Sequence, residues 1–256
     1  MGEGIERREA DGVIELRLDR PDKKNALTGA MYRTLTEGLA EASSRADIAA
    51  VLIAGNGDAF CAGNDIANFL SGPDRGTEAF GFIKAIALFD KPIVAAVQGL
   101  AVGVGTTMLF HCDLVYAAPD ARFVMPFVNL GIVPEAGSSL LAPATLGYAK
   151  AAAMLLLGEP MGADAADKAG LVTAIVPADQ LLAHARAKAA ALGTKPPQAL
   201  AATRRLIKGD PAALVARIEE EGRLFRETML SAEAKEAFTA FLEKRAPVFQ
   251  RKPENA

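Results

Sequence analysis

Three short segments hold the residues whose types and spacing bear on chemistry. The first is Phe60-Cys61-Ala62-Gly63-Asn64-Asp65, directly after an apolar run. The second is the glycine-rich stretch Gly99 to Gly105 (GLAVGVG), and the third is Pro126 to Ser139 (PFVNLGIVPEAGSS). A glycine-rich turn that enters a helix aims unsatisfied N–H groups beyond the helix end, where the helix dipole favours negative charge. The phosphate-binding version needs Gly-Lys-Ser/Thr, which is absent. The dinucleotide version needs GxGxxG, yet Gly103-Val104-Gly105 is followed by Thr106, Thr107 and Met108. Two readings stay open for these glycines: an anion-accepting helix start, or close packing of helix on strand. Glu135 in the third segment is likewise either a proton-transfer group or a loop acid capping a helix N-terminus. Other chemistries find no frame. His111 and His184 share no metal-binding spacing with Cys61 and Cys112, there is no GxSxG elbow, and no CxxC pair occurs.

Composition narrows the class. The chain has 256 residues, 51% of them hydrophobic, with a net charge of −3. That length buries one large core, or one core with an appendage. Acids and bases are interspersed, so no basic face for nucleic acid is expected. Two cysteines in apolar surroundings fit a reduced, cytoplasmic protein. The amino-terminal stretch is polar and lacks an apolar signal core, and no run approaches the roughly 18 apolar residues of a membrane span.

The elements that must position these segments follow from periodicity. Ile14, Leu16 and Leu18 alternate with Glu15 and Arg17, which predicts a half-buried strand over 13–18, paired through the Asp11-Gly12 turn with residues 5–9. Thr28 is a good N-cap for a helix to about Arg45, with Met31, Leu35 and Leu39 on one face. Apolar runs at 49–54, 93–97, 114–117, 122–125 and 171–176 predict buried strands; helices are expected over 78–88, 105–112 and 146–157. Strands alternating with helices imply an α/β chain. After Pro177 only helices are expected, over 179–192, 197–207, 210–229 and 231–244. The division is an α/β core over 1–195 and a helical region over 196–256.

Taken together and in order, FCAGNDI, the glycine-rich turn opening an apolar helix that ends in HCDLVYA, and ARF…P…LGIVPEAG resemble the enoyl-CoA hydratase/isomerase (crotonase) superfamily. The NALT segment at Asn25 to Thr28 and AxxxGLV at Ala166 to Val172 extend the likeness from about residue 10 to residue 245. The resemblance implies a crotonase-type α/β fold, a spiral of ββα units with a C-terminal helical region used for trimerisation, as a homotrimer or a hexamer built as a dimer of trimers. It implies an acyl-CoA substrate with no separate cofactor and no metal. It also implies an oxyanion hole made by two backbone N–H groups, which motif position assigns to Ala62 and Val104. Donors already aimed at a thioester oxygen stabilise the charge that appears there when C2 loses a proton.

Hydratases of the superfamily orient a water with two glutamates, and alignment on CDLVYA puts Thr107 and Phe127 at those places. Neither side chain gives and takes protons as the addition of water requires. The PEAGSS stretch instead resembles the peroxisomal-type Δ3,Δ2-enoyl-CoA isomerases, whose catalytic glutamate falls at Glu135. That implies migration of a double bond from C3–C4 to C2–C3, with one carboxylate moving the proton. Hydration, another crotonase reaction and non-catalytic acyl-CoA binding are the competing readings. By the same resemblance, CoA is contacted by Ala26, Ala62, Asn64, Asp65 and Ile66. Lys24 could face a phosphate or lie solvated at the surface. Phe241 and Lys244 match tail positions that in relatives reach CoA on a neighbouring subunit, or belong to an ordinary amphipathic helix.

Overall fold

The structure is a computed structural model that describes residues 3–65 and 76–249. Strands β1 (Ile5–Ala10) and β2 (Val13–Leu18) form the hairpin that the Asp11-Gly12 turn predicts. Helix α1 (Gly29–Ser44) follows, with the Thr28 hydroxyl accepting the Met31 N–H. Strands β3 (Ala50–Gly55), β4 (Ile93–Val97), β6 (Leu114–Ala117) and the short β9 (Ala174–Ile175) then add in parallel, giving the order β1-β2-β3-β4-β6-β9. A three-stranded sheet, β5-β7-β8, forms from Leu100–Val102, Arg122–Val124 and Met161–Gly162.

Both faces of the main sheet are covered, which is why its central strands are apolar throughout. Val51 and Ile53 of β3 join the main core with Leu16, Met31 and Leu35, while Leu52 and Ala54 face a second cluster. Helix α7 (Leu181–Gly193) supplies Leu181, Ala185 and Ala189 to that second cluster. The period-two alternation of a strand splits one apolar run between two cores. Glu15, on this second face, is buried because Arg186 of α7 holds it with two hydrogen bonds of 2.7 and 2.8 Å.

Helix α2 (Thr77–Leu88) packs on α1, and α3 (Val104–Thr107) starts directly after Gly103. The expected helix over 105–112 is shorter than its apolar run suggests. Past Thr107 it tightens into a 3-10 turn, Met108–His111, before Asp113 accepts the Ile93 N–H at 2.8 Å and β6 begins. Glycine punctuation hides further elements in apparent loops. Helix α4 (Ser138–Leu146) opens after Gly137, and Gly147 separates it from α5 (Tyr148–Leu156). Helix α6 (Ala163–Ala169) ends at Gly170, and the strand expected over 171–176 shrinks to β9. The tail forms α8 (Pro197–Lys208), α9 (Ala212–Met229) and α10 (Ala232–Leu242). Phe225, Ala234 and Phe238 of α9 and α10 belong to the main core cluster, so this part of the tail shares the body's core.

Candidate active site

The segment 58–64 lies between two partners. On one side Cys61 bridges Ala101 of β5, its N–H donating to the Leu100 carbonyl at 3.0 Å and its carbonyl accepting from Val102 N–H at 2.9 Å. On the other lies the loop 24–27, whose Leu27 bridges Asn64. This loop is built on Asn25, a buried side chain. Its Oδ1 accepts the Arg20 N–H at 2.9 Å, and its Nδ2 donates to the Asn56 and Ala59 carbonyls at 2.8 Å each.

The hydrogen bonds decide which N–H groups are free. The Ala62 N–H donates to the Lys24 carbonyl at 2.9 Å, so it is consumed inside the fold and cannot also hold a substrate oxygen. The expectation for Ala62 as a donor is therefore corrected. Gly63 adopts φ +91°, which inverts the alternation of the strand. Beyond it, the Gly63 carbonyl accepts from Leu27 N–H at 2.8 Å and the Asp65 N–H donates to the Leu27 carbonyl at 2.9 Å. Asn64 therefore turns its own N–H to the opposite edge, toward β5 and α3. The Cys61–Ala101 bridge lays this segment against β5, three residues before Val104. Val104 is the first residue of α3, whose N–H has no intrahelical partner. Neither the Asn64 nor the Val104 N–H has a hydrogen bond among the described residues. Close approach makes this possible: a Cβ on Gly105 would lie 2.6 Å from the Cys61 carbonyl oxygen.

Asn64 and Val104 line one cavity of about 330 Å³. Its walls are mostly apolar, with Phe127, Leu130, Ile132, Phe225 and Phe238 prominent. Phe127, aligned in the sequence with the second hydratase glutamate, is one of these walls. Phe241 also lines this cavity, within its own chain. Arg245, which sequence reasoning passed over, lines it too, held by Glu236 at 2.6 and 3.0 Å and by Glu243 at 2.7 Å.

Glu135 is buried, only 6% exposed, at the end of the loop between β7 and α4. The Thr107 hydroxyl of α3 donates to its Oε1. Burial pushes the Glu135 carboxyl up to about 8; the Thr107 bond pulls it back somewhat, and the nearby charge of Glu221 raises it further. Glu135 is close enough to add to the upward shifts of Tyr32 and Cys61, whose main cause is burial. Tyr32 in turn donates its hydroxyl to Asn64 Oδ1 at 2.5 Å. Thr107 thus ties the Glu135 carboxylate to α3, the helix that begins at Val104, and Tyr32 ties Asn64 to α1, while Glu135 itself is not among the residues that line the cavity.

The remaining predicted residues scatter around the 24–27 loop. The Lys24 ammonium pairs with Asp58 at the surface. The Ala26 carbonyl accepts from Arg20 at 2.7 Å, and Arg20 also ion-pairs with Asp65 at 3.0 Å. Lys244 is exposed, in a left-handed conformation just past α10. Ile66 lies outside the described residues. Sequence reasoning missed Glu221, a buried acid on α9 that binds the α4 start from 84 residues away. Its only signal in the sequence is a third consecutive glutamate in an amphipathic helix, which does not distinguish it from Glu219 and Glu220. Among the described residues no group of His, Cys, Asp and Glu is arranged to hold a metal, and no helix is long and apolar enough to cross a membrane.

A buried carboxylate near two free backbone donors is suited to removing a proton next to a carbonyl. A family model described as enoyl-CoA hydratase/isomerase matches residues 8–252. A probable enoyl-CoA hydratase of Rhodobacter capsulatus is 36% identical over 246 residues, covering 94% of this chain and 95% of that protein. Enoyl-CoA delta isomerase 2 of Rattus norvegicus is 36% identical over 240 residues, covering 90% of this chain and 61% of that protein. The crystal structure of an enoyl-CoA hydratase/isomerase from Pseudoalteromonas atlantica superposes with a TM-score of 0.93 at 41% identity, over 97% of this chain and 100% of that one. The fold is of the crotonase type, and with the family model spanning almost the whole length, this chain belongs to the enoyl-CoA hydratase/isomerase family.

Proposed function

We propose that the chain is a Δ3,Δ2-enoyl-CoA isomerase, with Glu135 as its proton shuttle and the N–H groups of Asn64 and Val104 as its oxyanion hole. The thioester carbonyl oxygen of a 3-enoyl-CoA sits between the two donors. Glu135 takes a proton from C2, and the electron pair of that C–H bond moves into a dienolate whose oxygen is held as it becomes negative. The same carboxylic acid returns the proton at C4, the double bond closes between C2 and C3, and Glu135 ends as it began. No water is added and none is consumed.

The observation that supports this reading is Glu135, a buried carboxylate bonded among the described residues only by the Thr107 hydroxyl. Glu135 meets a hydroxyl at Thr107 where a hydratase has its first glutamate, and Phe127 replaces the second with an apolar ring. The other buried acid of this region, Glu221, is tied to the start of α4, accepting the Gly137 and Ser139 N–H groups at 2.6 and 2.9 Å. Relatives named as hydratases keep hydration as the alternative, and a non-catalytic acyl-CoA binder as the second. The test offers 3-hexenoyl-CoA and 2-hexenoyl-CoA separately to purified protein. Isomerisation of the first without hydration of the second is expected; rapid hydration of the second overturns the reading, and inertness toward both favours a binder.

A further inference from the structure

The turn that carries Glu135 is held in a conformation its sequence resists. Ala136 and Gly137 adopt φ +60° and +69° in succession, and for alanine that region is sterically costly. Such a turn persists only when its surroundings over-determine it. Three side chains do so. The Ser138 hydroxyl donates to the Glu135 carbonyl at 2.6 Å. His111 Nε2 lies 2.8 Å from the Ala136 carbonyl oxygen; a carbonyl only accepts, so this nitrogen carries the hydrogen. Glu221 takes the far side: its Oε2 accepts the Gly137 N–H at 2.6 Å and its Oε1 the Ser139 N–H at 2.9 Å. Gly137 is the N-cap of α4 and has no side chain to cap with, so Glu221 does that work from another helix.

Resting on Glu135 as the base, we propose that Glu221 is a positioning residue: its carboxylate fixes the strained turn that aims Glu135 and sets a second negative charge beside it. The groups facing the pair are few. Thr107 of α3 donates to Glu135, and Tyr32 of α1 and Cys61 stand nearby, both shifted upward by burial and by Glu135. His111, lowered to about 4 by burial, is neutral at assay pH. Burial raises the Glu221 carboxyl itself, and its bonds to Ser139 and Gly137 and the charge of Arg217 favour the ionised form; Arg217 of α9 donates to the Ser139 hydroxyl at 3.2 Å and ion-pairs with Glu220 at 3.2 Å. A carboxylate with a like charge beside it holds its proton to higher pH.

Glu221→Gln tests this, because the amide keeps the size, loses the charge, and offers one acceptor oxygen where two N–H groups need one each. The Glu135 carboxyl is titrated without substrate by infrared difference spectroscopy, its band identified by its loss in Glu135→Gln. Hydrogen exchange at Gly137 and Ser139 is followed alongside. The expected result is a Glu135 midpoint lower by about 0.5–1 pH unit, exchange at both amides faster by about tenfold or more, and an acid limb of the isomerisation profile that moves down with the midpoint. A folded Glu221→Gln with the parental midpoint and parental exchange overturns the proposal. If that variant does not fold, Glu221→Asp keeps the charge and withdraws it by one carbon: faster exchange at Gly137 and Ser139 supports the role, and parental exchange overturns it. Absence of isomerisation by the parent protein sinks the functional reading instead, and leaves the titration and exchange results to judge Glu221's hold on the turn.

Discussion

Replacing Glu135 by Gln separates the chemistry of this site from its packing. The amide keeps the side chain's size, and its oxygen still accepts the Thr107 hydroxyl. The base is gone, so turnover on a 3-enoyl-CoA falls by about 10²–10⁴. Acyl-CoA affinity changes little, because the contacts expected for CoA lie on other segments, around 24–27, at 62–66 and in the tail. The raised carboxyl pKa gives the parent enzyme a second signature. With a value of about 8, Glu135 is ionised in about one molecule in ten at pH 7, so kcat/KM of the parent rises about tenfold from pH 7 to its alkaline plateau. The stability of the fold moves the opposite way. An acid raised in the folded state from 4.5 to about 8 contributes stability that is fully present below 4.5 and is lost as pH climbs through 8. At about 1.4 kcal/mol per unit, ionising it costs the parent up to about 5 kcal/mol, and the neutral amide escapes that cost. Urea unfolding of both proteins at pH 5 and pH 9 therefore shows nearly equal stabilities at the lower pH and a more stable Glu135→Gln at the higher. Turnover within a few-fold of the parent refutes Glu135 as the shuttle. A pH-independent stability difference refutes the burial argument for its raised pKa.

The oxyanion hole, the water-free wall and the tail each give a further expectation. Val104→Pro removes a single N–H at the first position of α3, where proline is tolerated; turnover falls by about 10²–10³ with the fold intact by circular dichroism, and unchanged turnover removes Val104 from the hole. Hydration of 2-hexenoyl-CoA, followed by loss of the enoyl-thioester absorbance, is slow or undetectable in the parent, because Thr107 and Phe127 stand where two glutamates are needed. Deleting residues 197–256 takes Phe225, Ala234 and Phe238 out of the main core and yields aggregated or misassembled protein in size-exclusion chromatography; a monodisperse, folded monomer counts against an oligomerising helical tail. The intact chain, with Leu206 and Ile207 of α8 exposed, elutes as a trimer or hexamer in the same experiment.

Much of this molecule is written locally. Residues 13–18 alternate and 28–45 follow the helical period, so the strand and the helix are read locally, although β2 is buried on both faces rather than half-buried, with Glu15 covered by Arg186. The glycines of FCAGND and GVG let two loops approach closely, as at Gly105 against Cys61, and the Thr107–Glu135 hydrogen bond ties the PEAGSS loop to them. Local reading fails where an apolar run is cut by glycine. Gly137 and Gly147 bound α4, a nine-residue helix with Pro143 inside that no periodic run in the sequence announces. It fails again where a backbone group's partner is distant. Ala62 and Asn64 are equivalent in a strand of period two. Only the left-handed Gly63 and the hydrogen bonds to Lys24 and Leu27 decide that the first N–H is buried in the fold and the second faces the cavity. The sequence by itself determined the family, the loops and the identity of Glu135 as the acid to watch, because residue types and their spacing carry that information. Tertiary structure alone decided which N–H groups are free, how far burial raises Glu135, and that Glu221 reaches across from α9, because each depends on what neighbours bring through space.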